Sequence, residues 1–338
     1  MGGLEPPTSA SQTRRAGRLR YTPADKSIIR SMFKRQATHT FPPESCLRVL
    51  VVLLLLLSTS ACARINPPDT TETPTPAPPL PTPSPTVDPI TQSPTPAPSL
   101  TPTVNCLAAG GEVLNKQISS ELQDHDLNFF VYLPPCYNAH TDQRYPVVYL
   151  LHGLSYDNDQ WLQLGLVETM DALIAEGKIA PFIVILPLEG SFIPPQISKY
   201  GEAIATELVP WVDEHFRTLP ERAYRGIGGV SRGAAWSFRI GFMHYDIFSS
   251  VGAHSLPLFE ADGGNILLWV SQTPPEELPL FYIDIGRNDQ EWKTAQDVAD
   301  LLDDNNIAHE WYLFSGDHTQ SYWSTHIEDY LRWYARDW

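Results

Sequence analysis

The chain has 338 residues, with 39 Asp and Glu against 23 Lys and Arg, for a formal net charge of −16. That balance argues against nucleic acid as a partner, because phosphate binding needs clustered Lys and Arg. The first third holds little that could pack, whereas residues 105–338 are long enough to bury one sizeable core.

Residues 1–62 read as an N-terminal extension with a signal or lipoprotein-type segment. Val49–Leu57 is continuously apolar, and at ~1.5 Å per residue it spans about 14 Å as a helix, too short to cross a bilayer. Lys34, Arg35 and Arg48 precede it, so it fits the apolar region of a secretory signal. The small residues Ser58, Thr59, Ser60 and Ala61 lead to Cys62, which resembles a lipoprotein cleavage site with Cys62 as the lipidated residue. Thr59 departs from the Leu that this pattern prefers; ordinary cleavage, giving a secreted domain, is the alternative. Met32-Phe33-Lys34-Arg35 makes a better start for such a signal than Met1. The chain is therefore expected to be exported, meeting a membrane only through this segment or its lipid.

Residues 63–104 read as a disordered linker. Fourteen of the 38 residues from Pro67 to Val104 are proline. Proline fixes φ and removes donors, so polyproline II is expected, reaching roughly 120 Å at ~3.1 Å per residue. Such a spacer would hold a domain clear of an anchored Cys62.

In residues 105–338, short apolar runs alternate with amphipathic ones. Strands are predicted at Phe129–Leu133, Val147–Leu151, Phe182–Leu186, Tyr224–Val230, Ser250–Ala253, Leu280–Ile285 and Glu310–Phe314. Helices are predicted at Leu166–Glu176, Lys199–Arg217, Ala234–Met243, Glu291–Asn305 and Tyr322–Ala335. The alternation implies an α/β fold, a mostly parallel sheet flanked by helices on both faces, with ligands beyond the carboxyl ends of the strands. Cys106 and Cys136 are expected to form a disulfide, the alternative being two buried thiols. Ser155–Gln163, Glu189–Ser198 and Leu256–Pro279 are loops where specificity would reside, the last a possible lid around Trp269.

Gly229-Val230-Ser231-Arg232-Gly233 reads G-x-S-x-G between a predicted strand and a predicted helix, the context of a nucleophile turn. A serine hydroxyl needs a base in contact and a carboxylate to orient that base. His318 follows the last strand and precedes the last helix, and Asp289 lies in the polar loop after Leu280–Ile285. Ser231, Asp289 and His318 thus occur in the order Ser…Asp…His. Asp284, within a strand, and Asp317, next to His318, are weaker candidates for the acid, His254 precedes the acid and reads as a pocket wall, and His309 and His326 read as surface residues. The oxyanion requires two N–H donors, for which the backbones of Leu154, after Leu151-His152-Gly153, and Arg232 are placed. His152 then holds the loop. The Arg232 side chain either meets an anionic group of the substrate or forms a salt bridge at the helix start.

Together, Val131-Tyr132-Leu133-Pro134-Pro135-Cys136-Tyr137, Tyr145-Pro146-Val147-Val148-Tyr149-Leu150-Leu151-His152-Gly153, Glu207-Leu208-Val209-Pro210-Trp211 and the three triad loops resemble the esterase D-like branch of the α/β-hydrolases, over about Gly111 to Trp338. That branch includes feruloyl and acetylxylan esterases, enterochelin esterases, S-formylglutathione hydrolases and mycolyltransferases. The resemblance implies Ser231 as nucleophile, Asp289 as acid, His318 as base, and the N–H groups of Leu154 and Arg232 as oxyanion hole. It implies no metal and no organic cofactor. Arg232 stands where the family usually has Met or another residue, and Ala234 where it has Gly; Arg232 is expected to alter the acyl or alcohol preference.

The expected function is that of an extracytoplasmic serine carboxylic ester hydrolase working through an acyl-enzyme, on a small-molecule or acyl-decorated carbohydrate ester. An acyltransferase on the same fold and a non-catalytic surface binding lipoprotein are the alternatives. No sequence feature sets an oligomeric state.

Overall fold

The computed structural model describes residues 106–338. Val49–Leu57, Cys62 and the proline-rich segment Pro67–Val104 lie outside the described residues. In chain order the elements are β1 (Glu112–Ile118), β2 (Leu127–Leu133), β3 (Val147–Leu151), α1 (Gln160–Gln163), α2 (Leu166–Ala175) and β4 (Ile183–Pro187). There follow α3 (Tyr200–Ala203), a π turn (Ile204–Leu208), α4 (Val209–His215), β5 (Arg225–Val230), α5 (Arg232–Met243) and β6 (Ser250–His254). The chain ends with α6 (Ile266–Gln272), β7 (Leu280–Gly286), α7 (Trp292–Asp304), β8 (His309–Phe314) and α8 (Gln320–Tyr334).

The eight strands form one sheet in the order β1-β2-β4-β3-β5-β6-β7-β8. β1–β2 and β2–β4 pair antiparallel, and every pair from β4 onward is parallel. β3, β4 and β5 are buried along their whole length, which is why β3 and β4 read as unbroken apolar runs and β5, after Arg225, as glycine and apolar residues. Alternation along β3 divides the core. Val147, Tyr149 and Leu151 pack with α4, α5 and α7, while Val148 and Leu150 pack with α2 and α8. Helices therefore cover both faces, as the sequence implies.

The strand order reverses at β3, which lies between β4 on one side and β5 on the other. Such a reversal opens a crevice beyond the carboxyl ends of the strands. The loops after β3 and β5 meet there.

Three elements differ from the sequence reading. β1 was not predicted: it is an edge strand whose seven residues are all exposed or half-buried, so it carries no apolar run. The single helix expected over Lys199–Arg217 contains a π turn just before Pro210. Proline has no N–H to donate to the carbonyl one turn back, and the wider turn absorbs the lost bond. The segment Leu256–Pro279, expected as a loop, is partly helical. It carries α6, and Trp269 stacks on Phe242 at 5.8 Å.

Cys106 and Cys136 are bonded, with a sequence separation of 30. The bond lies beyond the end of β2, which runs antiparallel to β4 and so finishes at the edge opposite the crevice. Replacing Cys136 by Ser is expected to destabilise the domain by about 2–4 kcal/mol. A melting curve without reductant measures this.

Candidate active site

Ser231 connects β5 to α5 in a backbone conformation (φ 54°, ψ −123°) that side-chain-bearing residues rarely adopt. The surroundings hold it there. Its N–H donates to the His254 carbonyl at 2.9 Å, and its own carbonyl accepts from Ala235 N–H at 3.1 Å. The turn is tight enough that a Cβ on Gly229 would lie 2.3 Å from the Gly233 carbonyl carbon. This explains the two glycines of the motif.

The other predicted residues converge on the serine. His318, just after β8, places Nε2 2.8 Å from Ser231 Oγ. Its Nδ1 lies 3.0 and 2.9 Å from the two Asp289 carboxylate oxygens. Asp289 is 1% exposed, and its Oδ1 also accepts the Glu291 N–H at 2.8 Å. Burial pushes this carboxyl up, but the hydrogen bonds from His318, Glu291 and Ser255, with the charge of His318, outweigh it and hold the group below its ordinary value. An ionised carboxylate facing Nδ1 fixes the tautomer in which Nε2 is free to accept the serine proton.

Gly153 and Leu154 follow β3. A Cβ on Gly153 would lie 3.5 Å from Ser231 Cβ, so this loop flanks Ser231 directly. Arg232 is the first residue of α5, whose leading N–H groups have no carbonyl one turn earlier. The two proposed donors thus come from the loops on either side of the crevice. His152 is buried. Its Nδ1 lies 2.9 Å from the Gly153 carbonyl, and its Nε2 accepts the Glu189 N–H at 2.9 Å. Burial pulls its pKa down, against weaker upward pulls from the Gly153 carbonyl, Glu189 and Asp157.

The Arg232 side chain has a partner that the sequence left open. Its Nε and Nη2 donate to the two Glu189 oxygens at 2.7 and 2.6 Å, a bidentate pair. The salt bridge is therefore the reading that holds, made to the loop after β4 rather than at the helix itself. Leu154, Tyr156, Phe192 and Ile193 leave apolar side chains exposed on the loops beside the turn.

The alternatives set aside in the sequence find other work. His254 and Asp284 face one another in register at the ends of β6 and β7, with Nδ1 2.7 Å from Asp284 Oδ1. His254 is not a pocket wall: it is fully buried beneath the turn and stacks on Tyr330 at 3.7 Å. Asp284 Oδ2 accepts the hydroxyls of Tyr322 and Tyr330 at 2.7 and 2.9 Å. Burial and then the Asp284 charge push both phenols well up, so they remain donors. This second His–Asp pair was missed because strand register cannot be read from one sequence. The Asp317 carboxylate accepts the neighbouring Thr319 hydroxyl, at 2.8 Å, away from the His318 ring contacts. His326 is buried, not superficial, and stacks on Phe314 at 4.2 Å. Among the described residues, no three His, Cys, Asp or Glu side chains gather as a metal site requires.

Comparison with known proteins agrees with this architecture. The family model described as "Putative esterase" matches residues 119–334. An endo-1,4-beta-xylanase/feruloyl esterase of Xylanibacter ruminicola is 32% identical over 178 residues, 48% of this chain and 22% of that protein. An esterase of Mycobacterium tuberculosis is 29% identical over 156 residues, 42% of this chain and 32% of that one. The chain thus aligns with a third or less of these relatives' length. A solved ferulic acid esterase superposes with a TM-score of 0.61 at 21% identity, covering 68% of this chain and 99% of that one. That likeness is one of fold, and the fold is that of the α/β-hydrolases.

Proposed function

The chain belongs to this esterase family, and from that premise we propose that it is a serine carboxylic ester hydrolase acting outside the cytoplasm through an acyl-enzyme. The observation that carries the reading is the contact of His318 Nε2 with Ser231 Oγ at 2.8 Å while Nδ1 meets the Asp289 carboxylate. His318 takes the serine proton as Oγ attacks the ester carbonyl. The oxyanion is received by the N–H groups of Leu154 and Arg232, and the imidazolium is stabilised by Asp289. Collapse expels the alcohol, which takes the proton from His318. Water, deprotonated by His318, then attacks the acyl-enzyme, and the carboxylic acid leaves as Ser231 regains its proton.

The Glu189–Arg232 pair neutralises the cation next to Ser231, and Leu154, Tyr156, Phe192 and Ile193 expose apolar side chains nearby. Both favour an uncharged acyl group. Relatives named as feruloyl esterases favour an acyl-decorated carbohydrate as the alcohol side. Export, with anchoring at Cys62 or release, rests on the apolar run Val49–Leu57 and the small residues after it.

The test is hydrolysis of short- and medium-chain p-nitrophenyl esters and methyl ferulate, beside Ser231→Ala. The variant should lose about 10⁴-fold or more in kcat without a change in melting temperature. A folded wild-type protein inactive on all these esters would overturn the hydrolase reading in favour of acyl transfer or binding.

A further inference from the structure

We propose that Glu189 is a positioning residue that ties the two sides of the oxyanion hole together. The inference rests on the reading of Leu154 and Arg232 as the donors. In a trans peptide the carbonyl of one residue and the N–H of the next share a plane and point in opposite directions. The Gly153 carbonyl is held by His152 Nδ1 at 2.9 Å. The Leu154 N–H belongs to that same peptide unit, so its direction is fixed as well.

In the neutral ring that burial favours, His152 donates from Nδ1 only as the tautomer with Nε2 unprotonated, and Nε2 accepts the Glu189 N–H at 2.9 Å. Glu189 therefore sets the His152 tautomer with its backbone. With its carboxylate it holds the other side, gripping the Arg232 guanidinium through both oxygens at 2.7 and 2.6 Å. One residue thus contacts the support of both donors, one through each end.

The burial of the pair points to placement rather than stability. The Glu189 side chain is 2% exposed and that of Arg232 14%. Ion pairs taken out of water this far seldom stabilise a fold more than apolar side chains of the same volume. Rings of Phe192, Trp236 and Phe259 lie 5.3 to 5.9 Å from the guanidinium carbon and restrict it further. What the arrangement supplies is fixed geometry at groups that must meet charge as it develops.

The test uses the full-length protein and compares Glu189→Gln, Arg232→Met and the double variant. Removing an oxyanion donor costs about 10²- to 10³-fold in kcat; loosening one should cost about 10- to 100-fold, with KM within about twofold. The inhibition constant of a trifluoromethyl ketone, which forms the tetrahedral adduct, should rise in parallel. The double variant should be no slower than the slower single one, because both break the same link. Unchanged kcat and inhibition, a rise in KM alone, or effects that multiply in the double variant would overturn the proposal. If Glu189→Gln does not fold, Arg232→Met gives the same kcat-against-KM reading. Nitrogen NMR of the wild-type His152 ring supplies a readout that needs no turnover. The proposal requires the Nδ1–H tautomer and fails on finding Nε2–H, whereas wild-type protein without Ser231-dependent activity would sink the esterase reading instead.

Discussion

Replacing Asp289 by Asn is expected to lower kcat about 10⁴-fold while costing only a few degrees of melting temperature. The reason lies in which atoms the side chain must serve. Asp289 Oδ1 accepts the Glu291 N–H at 2.8 Å, and the carboxylate as a whole faces His318 Nδ1. An Asn has one carbonyl oxygen, and the Glu291 N–H claims it. The amide NH₂ then faces Nδ1 and holds the proton on Nε2, where the imidazole can no longer accept from Ser231. Volume and burial are unchanged, so the fold loses little beyond one charge-assisted hydrogen bond. The pH dependence follows by sign. The folded carboxyl titrates below its ordinary value, so its stabilisation is fully present above the unfolded value of about 4 and is lost as pH falls through the folded one. Melting of wild type and variant from pH 7 to pH 3 should show the gap between them narrowing at the acid end. An equal gap throughout would remove Asp289 from the account.

How much of this was legible depended on whether the signal was local. All seven predicted strands appear, because each is a short run rich in apolar residues. Ser231, Asp289 and His318 were traceable because each directly follows a strand, and the topology gathers such loops at one edge. What escaped depended on pairing between distant segments. β1 satisfies its backbone through β2 but exposes its side chains. The match of Glu189 to Arg232 spans 43 residues, from the loop after β4 to the start of α5, and that of His254 to Asp284 needs the register of β6 against β7. His326 reads as a surface residue in the sequence but is buried. In the fold, its ring packs among Phe314, Tyr322 and Tyr330.

Gly233→Ala is expected to cost more than about 4 kcal/mol, against a total of about 5–15 kcal/mol for a typical domain, and to leave most of the protein insoluble. Ordinarily an alanine in a helix is an improvement on glycine. Here a Cβ would lie 2.2 Å from the Leu151 carbonyl oxygen, 2.6 Å from its carbon and 2.7 Å from the His152 carbonyl oxygen. All three are backbone atoms at the end of β3, a strand locked on both sides by β4 and β5. No side chain can swing aside, so relief requires moving α5 away from the sheet or distorting β3. Gly264→Ala is the control. Nothing lies within 4 Å of its Cβ position, and its effect should stay within about 0.5 kcal/mol. Soluble yield and thermal melting of both variants decide the matter, and a Gly233→Ala protein melting within a few degrees of wild type would refute the packing argument. Any folded remainder should still be slow. The displaced atoms belong to Leu151 and His152, which lead into the loop carrying the Leu154 N–H. The close approach of α5 to β3 at Gly233 is thus also what brings the nucleophile turn and the proposed oxyanion loop side by side.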